Sequence, residues 1–408
     1  MKKDILVGNN VYWVGYVDDR KVPFHRLILE KGTTYNSYLL KTEEPTIIDT
    51  VDISFARQYV DNLKEYINLE EIKYIVINHV EPDHSGALPV LASKAKNAVI
   101  VATELGAQEL KEMYKLHNRE FLIVKDGDVL DIGGKTLRFY ETPYLHTEET
   151  MITYAIKDKT LYPCDIFSTH VATYDLFNDL AKENIMPDFE GYYKLIMAPH
   201  RNYVKDMINK IKNIDIEIIA PSHGYILRSN AKKYIDSYDD MSQASSTNRK
   251  AAVIYSTMTG NTKKLANHTM DILSDKGIET TIINVKEEKE VEKAKEAIRN
   301  SDIIFFGSST RYGDMVGKIE EVLKDLKDMD LSSKTGVAFG SYGWSGEAVE
   351  IIYDYLKAST IKVLDSSHVI KATGMNDVQA PIRVKFILDE DVNKFKKSVD
   401  AIGELVIR

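Results

Sequence analysis

Residues 77 to 86, INHVEPDHSG, place His79, Glu81, Asp83 and His84 within six positions, directly after the apolar run EIKYIV. Two imidazoles and two carboxylates this close form a mixed nitrogen–oxygen donor set. Such a set suits a transition metal better than the all-oxygen cages of calcium and magnesium. Three more donors stand where apolar, β-branched runs end: His146 in ETPYLHTEE, Asp165 in TLYPCDIFS and His223 in IEIIAPSHGY. All seven therefore sit where a β-rich unit exposes the rim of its sheets. From the residues alone, both the metal and the reaction stay open.

A second chemistry-bearing stretch opens the other half of the chain. YSTMTGNTKK follows an apolar run and begins a helical pattern. Ser256, Thr257, Met258, Thr259, Gly260, Asn261 and Thr262 offer hydroxyls, an amide and a run of backbone N–H groups. Together they make a phosphate cradle at a helix N-terminus, where orphan donors and the helix dipole both favour an anion. The Walker lysine and the G-x-G-x-x-G pattern are both missing, which argues against a nucleoside triphosphate or a dinucleotide. Two further loops follow later strands. GSSTRYGDM supplies Ser308, Ser309, Thr310, Tyr312 and Gly313, and GSYGWSGEA supplies Ser341, Tyr342, Gly343, Trp344 and Gly346. Their glycines allow close backbone approach, and their aromatic side chains can cover a flat ring.

The elements that position these groups fall into two rhythms. Through about residue 245, short strands alternate with turns and a few helices. EIKYIVINHV and KNAVIVATE each precede a helix-like segment, and Asp-Gly, Gly-Gly and Lys-Asp-Lys turns join a β-meander. A single helix is expected through GYYKLIMAPHRNYVKDMINKIKN. The polar, Ser-rich stretch 236–250 reads as a linker. Beyond it, AAVIYS, ETTIINV, DIIFFGSS, KTGVAFGS and IKVLDSSHVI alternate with helical segments, the pattern of a doubly wound parallel sheet. The expected domains are 1–247 and 248–408.

Composition narrows the class. The 408 residues are 44% hydrophobic and 28% charged, as expected for a globular protein of two or more domains. A net charge of −9 argues against nucleic acid or an anionic membrane as the main partner. No run approaches the about 18 apolar residues of a membrane span. The N-terminus breaks into polar residues too early for a signal peptide. Cys164, the single cysteine, excludes an internal disulfide framework and favours a reducing cytoplasm. It reads as a small buried residue, not as a nucleophile.

On STMTGNT and the two later loops, the second half resembles flavodoxin, a doubly wound sheet of strand order 2-1-3-4-5 that holds FMN in these loops. The match is imperfect at Ser309 and Tyr312, where a proline and an asparagine are usual. On H-x-E-x-D-H and the later His146, Asp165 and His223, the first half resembles the metallo-β-lactamase αββα sandwich. Zinc hydrolases of that fold carry histidine where this chain has Glu81. A carboxylate there makes the donor set harder and more anionic, which favours iron.

The two halves together resemble the flavodiiron proteins, in the short form without a rubredoxin module. The resemblance implies a non-haem diiron site in which one iron takes His79, Glu81 and His146. The other takes Asp83, His84 and His223, and Asp165 bridges them. It also implies FMN, and His25 and Tyr193 lining the substrate pocket. His117, His170, His268 and His368 have no comparable claim, and His200 falls where relatives carry an apolar residue. The implied activity is that of an oxidoreductase, reducing O2 to water or NO to N2O. Its implied partners are an external donor such as rubredoxin and a second copy in a head-to-tail homodimer, with a dimer of dimers as a larger option. Two competing readings keep the fold. One is a binuclear zinc hydrolase with a regulatory flavodoxin, and the other an FMN electron carrier whose metal site is structural.

Overall fold

The computed structural model describes residues 5–21, 23–24, 27–243, 249–385 and 388–406. Two compact units emerge, Met1–Gln243 and Ala244–Arg408. The expected junction between 247 and 248 falls outside the described residues. Among the described residues, no helix is long and apolar enough to cross a membrane.

In the first unit a seven-stranded sheet faces a five-stranded one. Its inner strands read as unbroken apolar runs because both faces are covered. Side chains alternate between those faces. Leu39, Ile47, Ile75 and Ile100 meet the helices Ala56–Leu63, Leu88–Lys94 and Glu104–Tyr114. Their neighbours Leu40, Ile48, Val76 and Val101 meet Phe139, Met151 and Tyr162 of the opposing sheet. The outer face of the second sheet presents Ile152, Leu161 and Ile219 to the helices Met186–Tyr192, Arg201–Ile211 and Ala231–Ser242. The result is the expected αββα sandwich.

Two local expectations for this unit are corrected. The helix expected through 191–213 is broken: a π-helical turn, Tyr193–Met197, and a 3₁₀ turn, Ala198–His200, separate the α-helices Met186–Tyr192 and Arg201–Ile211. Pro199 lacks the N–H that a continuous helix needs, and its ring clashes with the preceding turn. The stretch read as a linker is helical through Ser242. Tyr234 and Tyr238 of that helix, one turn apart, are buried in the core. Burying a large apolar side chain contributes about 1.5–3 kcal/mol, which outweighs the ~0.7 kcal/mol or less that each Ser or Asp costs in a helix.

The second unit is a parallel sheet in the order Glu279–Asn284, Lys250–Ser256, Ile303–Ser309, Thr335–Tyr342, Lys362–Val363, the expected 2-1-3-4-5. The fifth position differs from expectation. Only Lys362–Val363 of IKVLDSSHVI joins the sheet, and Ser366–Thr373 forms a helix. Asp365 caps that helix, its carboxylate accepting from the His368 N–H at 2.7 Å. A further strand, Ile382–Lys385, then pairs with Phe339–Tyr342 and completes the edge.

Candidate metal centre and cofactor cradle

All seven predicted metal ligands converge at the carboxyl-end rim of the sandwich. His79 and Glu81 follow the strand Tyr74–Val76, and Asp83 and His84 lie in the one-turn helix Pro82–Ser85. His146 lies in the loop after Thr136–Glu141, Asp165 follows Thr160–Tyr162, and His223 follows Ile218–Ile219. The 77–86 turn is pinned from several sides. The Asn78 N–H and amide donate to the buried Asp49 carboxylate at 2.8 and 3.0 Å. The Ser85 hydroxyl donates to the Val80 carbonyl, and the Thr50 hydroxyl to the His84 carbonyl. Gly86 is required, because a Cβ there would lie 2.2 Å from the Pro82 carbonyl and 2.4 Å from the Ile53 nitrogen.

Within the cluster the donors sort into two trios around Asp165. Glu81 Oε2 lies 3.3 Å from His79 Nε2 and 3.4 Å from His146 Nε2, and Asp165 Oδ2 lies 3.7 and 3.1 Å from the same nitrogens. Asp83 Oδ2 lies 3.3 Å from His84 Nε2 and 3.2 Å from His223 Nε2, with Asp165 Oδ1 at 3.3 and 3.2 Å. Donors bound at ~2.1 Å to one ion stand ~3.0 Å apart in an octahedron and ~3.4 Å in a tetrahedron. These spacings therefore fit two ions, one per trio, each with one oxygen of Asp165. Nε2 of His79 and of His84 and Oδ2 of Asp83 are buried without a hydrogen bond. A cation would satisfy all three.

The outward ring nitrogens fix the tautomers. His79 Nδ1 meets Glu149 Oε1 at 2.6 Å, and the same oxygen accepts the Val80 N–H at 3.1 Å. His223 Nδ1 donates to the Thr34 carbonyl at 2.7 Å, and His84 Nδ1 lies 3.4 Å from Cys164 Sγ. Each such partner leaves Nε2 directed inward as a ligand. Burial opposes the charged imidazoles, but the surrounding carboxylates prevail: His146 and His223 are raised to about 9, and His79 and His84 well above the ordinary value. Burial likewise opposes ionised Glu149, yet His79, Thr147 and the Val80 N–H lower it to about 2. Glu81, Asp83 and Asp165 are held low by the same histidines, again against burial. With Glu149, the three ligand carboxylates carry four negative charges, the charge of two divalent cations. Burial pushes the Cys164 thiol up to about 11, so it is an un-ionised packing group.

Around the donors the structure adds residues that sequence reasoning did not assign. His170 lies with its ring 5.1 Å from that of His223, and Nδ1 3.0 Å from the Thr33 hydroxyl. The buried His200 ring is 6.4 Å from that of His146. Tyr193 packs edge-on against Tyr238 in the core, at 4.9 Å. Its neighbour Tyr192, turned by about 100° around the helix, lies tilted at 60° against His170, 4.9 Å between ring centres, and burial together with the nearby Asp165 charge holds its phenol well above the ordinary value. No local pattern marks these positions, since only the tertiary fold brings them together. His25 lies outside the described residues.

In the second unit three loops meet at one point. The buried Thr262 hydroxyl lies 2.9 Å from Ser309 Oγ and 2.8 Å from Ser341 Oγ, and the Met258 N–H donates to Ser309 Oγ. Gly260, at φ +88°, turns the chain into the helix Asn261–Asp275, with its N–H donating to Thr257 Oγ1. Ser256, Thr259 and Asn261 complete this turn. Ser308 Oγ accepts the Val316 N–H, while Thr310 Oγ1 is buried without a hydrogen-bond partner. Tyr312 and Gly313, both at positive φ, form the tip of a two-residue turn closed by Arg311 and Asp314. Tyr312 and Trp344 are 92% and 91% exposed. Arg383 ties down the loop carrying Trp344, donating to the Ser345 carbonyl and to Glu350, and lying 5.3 Å over the Tyr342 ring. Gly343 and Gly346, the latter at φ +80°, belong to that loop. The donors at a helix N-terminus and the projecting aromatics suit a phosphate-bearing, flat-ringed cofactor.

Comparison with known proteins places both units. A family model described as ODP family beta lactamase matches residues 33–224, and one for flavodoxin matches residues 253–382. An anaerobic nitric oxide reductase flavorubredoxin from Vibrio vulnificus is 35% identical over 86% of this chain and 72% of its own length. A nitric oxide reductase from Moorella thermoacetica is 32% identical over 89% of this chain and 92% of its own. Among solved structures, the flavodiiron protein of Giardia intestinalis aligns at 27% identity with a TM-score of 0.58. The alignment covers 99% of this chain and 97% of that one. Rubredoxin oxygen:oxidoreductase from Desulfovibrio gigas aligns at 25% identity with a TM-score of 0.57, over 99% and 98% of the two chains.

Proposed function

Because this chain belongs to the flavodiiron protein family, we propose that it is an oxidoreductase that passes electrons from FMN to a diiron centre, where NO is reduced to N2O or O2 to water. The observation that carries the reading is the division of seven donors into two trios that share Asp165. In this reading His79, Glu81 and His146 hold one iron, Asp83, His84 and His223 hold the other, and Asp165 bridges them. The phosphate loop 256–262 and the loops at 308–313 and 341–346 hold FMN. When bound, two ferrous ions and reduced FMN supply four electrons, enough for O2 + 4 e⁻ + 4 H⁺ → 2 H2O, or for two rounds of 2 NO + 2 e⁻ + 2 H⁺ → N2O + H2O.

The chain's own residues set the conditions for that chemistry. Glu81 supplies an anionic oxygen where a zinc hydrolase has an imidazole, which favours the ferric state and disfavours the hydrolase reading. Glu149 and the Thr34 carbonyl keep His79 and His223 in the ligating tautomer. Burial of the second trio excludes bulk water from one face.

NO is the first substrate to test, since the two relatives described above, at 35% and 32% identity, are named for its reduction. A rubredoxin is the proposed donor. A head-to-tail homodimer would bring the FMN of one copy to the irons of the other. The test is anaerobic: reduce the iron- and FMN-loaded protein, then add NO or O2 in separate mixes. Rapid reoxidation with N2O or water as product is expected. Failure of both gases to reoxidise the centres refutes the proposal.

A further inference from the structure

Beside the metal centre the first unit has a cavity of about 250 Å³. Lys31 and Leu195, the exposed side of its lining, mark its mouth, and the buried Tyr192 with His170 beside it marks its floor. That floor is one residue away from the donors, because the His170 ring stands 5.1 Å from that of His223 and 4.9 Å from that of Tyr192. We infer that this cavity is the route by which a neutral diatomic gas reaches the centre. The inference rests on the gas-reductase reading of the site.

Three observations support it. First, the second trio is closed: His84, His223 and Asp83 are buried, so a ligand for that side needs a passage. The other edge, at Glu81 and His146, is the more open one, with side chains 25% and 13% exposed. Electrons must enter as well, and that open edge is the one left for them.

Second, the lining suits a gas. Leu29, Pro187, Gly191 and Leu195 give the walls an apolar character. The charges at the mouth satisfy each other, with Lys31 Nζ 2.8 and 2.9 Å from the two oxygens of Asp188. The remaining charged lining residue, Glu30, is paired with Lys21 at 2.8 Å, so each charge along the lining has a partner of opposite sign.

Third, the wall contains a glycine where the helix does not require one. Gly191 lies within the helix Met186–Tyr192, and a Cβ there would meet nothing within 4 Å. Alanine would favour that helix by about 1 kcal/mol. Glycine at this position leaves that part of the wall open, with room for a side chain to be added.

The same feature supplies the test. Gly191→Phe projects a ring into open space and should narrow the passage without disturbing the backbone; Gly191→Leu is the alternative plug if the Phe protein does not fold. Gly191→Ala controls for helix stiffening. NO binding to the reduced, iron-loaded full chain is followed by stopped-flow absorbance. The Phe variant should bind at least ~10-fold more slowly, a barrier of ~1.4 kcal/mol, and the Ala variant within about twofold of the parent. Release should slow in parallel, leaving Kd nearly constant, since gas leaves by the same path. Iron content and reduction of FMN by dithionite should not change.

NO binding to the Phe variant at the parental rate overturns the inference and assigns entry to the Glu81–His146 edge. A Kd shifted through the off-rate alone also overturns it, because the side chain would then be disturbing the centre. A parent that binds no NO refutes the gas-reductase reading itself. Xenon-pressurised crystals then judge the passage independently: a xenon atom between Gly191 and His170, lost in the Phe variant, supports it, and no xenon there overturns it.

Discussion

Glu149 is the sharpest place to perturb the proposed centre without touching a ligand. Its carboxylate is 5% exposed, and Oε1 accepts from His79 Nδ1 at 2.6 Å and from the Val80 N–H at 3.1 Å. Glu149→Gln keeps the volume and an acceptor oxygen, so what disappears is the charge. A hydrogen bond to a charged group contributes about 1.5–3 kcal/mol and a neutral one about 0.5–1.5, leaving a loss of roughly 1–1.5 kcal/mol. That predicts about tenfold weaker iron binding at the His79–Glu81–His146 position. Glu149→Ala also leaves the Val80 N–H and His79 Nδ1–H without this acceptor, which costs about 1–3 kcal/mol more and extends the loss to about 100-fold. The assay is ferrous iron retained per chain across a graded chelator series. The parent should fall from two irons to none over a narrow range. Glu149→Gln should show a plateau at one iron, and Glu149→Ala a wider one. Parental curves for both variants would refute the coupling of Glu149 to the metal through His79.

Three further outcomes follow from the same geometry. Asp165→Ala removes the one carboxylate shared by both trios, so iron per chain should fall below one, as read by elemental analysis; retention of two irons would show that Asp165 bridges nothing. Thr262→Val keeps the shape but breaks the contacts to Ser309 and Ser341 at 2.9 and 2.8 Å. At about 1 kcal/mol for each, FMN affinity should drop roughly 10- to 30-fold in a fluorescence titration, and unchanged affinity would remove Thr262 from the cradle. Chelating the metal should lower the melting transition of Met1–Gln243 and spare that of Ala244–Arg408. An ion held at 100 times its Kd stabilises its unit by about 2.7 kcal/mol, and equal shifts in two calorimetric transitions would contradict a site confined to the first unit.

The donors were legible in the sequence because each follows an apolar strand, and because four of them fall within six residues. Their supports were not. Glu149 lies 70 residues from His79, and Thr34 lies 189 from His223. Only the pairing of distant strands sets those contacts, and a pattern of neighbours carries no trace of them. Tyr192 and Tyr193 illustrate the same limit, since two identical neighbours on a helix point to different places and the sequence cannot say which one meets His170. The misread stretches have separate causes. Tyr234 and Tyr238 carry the apolar periodicity of their helix in residues that also count as polar, so the segment looked like a linker. In DSSHVI the capping Asp365 was outweighed by the β-branched residues around it.

The two metal positions are not equivalent, and the asymmetry has a chemical sense. Glu81 and His146 are partly exposed, whereas Asp83, His84 and His223 are closed in. Charge reinforces the difference, because Glu149 adds a fourth carboxylate on the side of His79. In the proposed diiron reading, the more anionic and more accessible position would stabilise the higher oxidation state, and an electron arriving from outside would meet it first. The buried position has a neutral outer partner in the Thr34 carbonyl and a weak one in Cys164. It is the better place to retain a ferrous ion and to receive an uncharged gas from the His170 side. Asp165 places one oxygen toward each trio, so in the proposed reading it would couple both positions in a single reaction. In the proposed reading Glu81 thus does more than shift the preference from zinc to iron: it marks one end of the pair as the electron entry and leaves the other end for the gas.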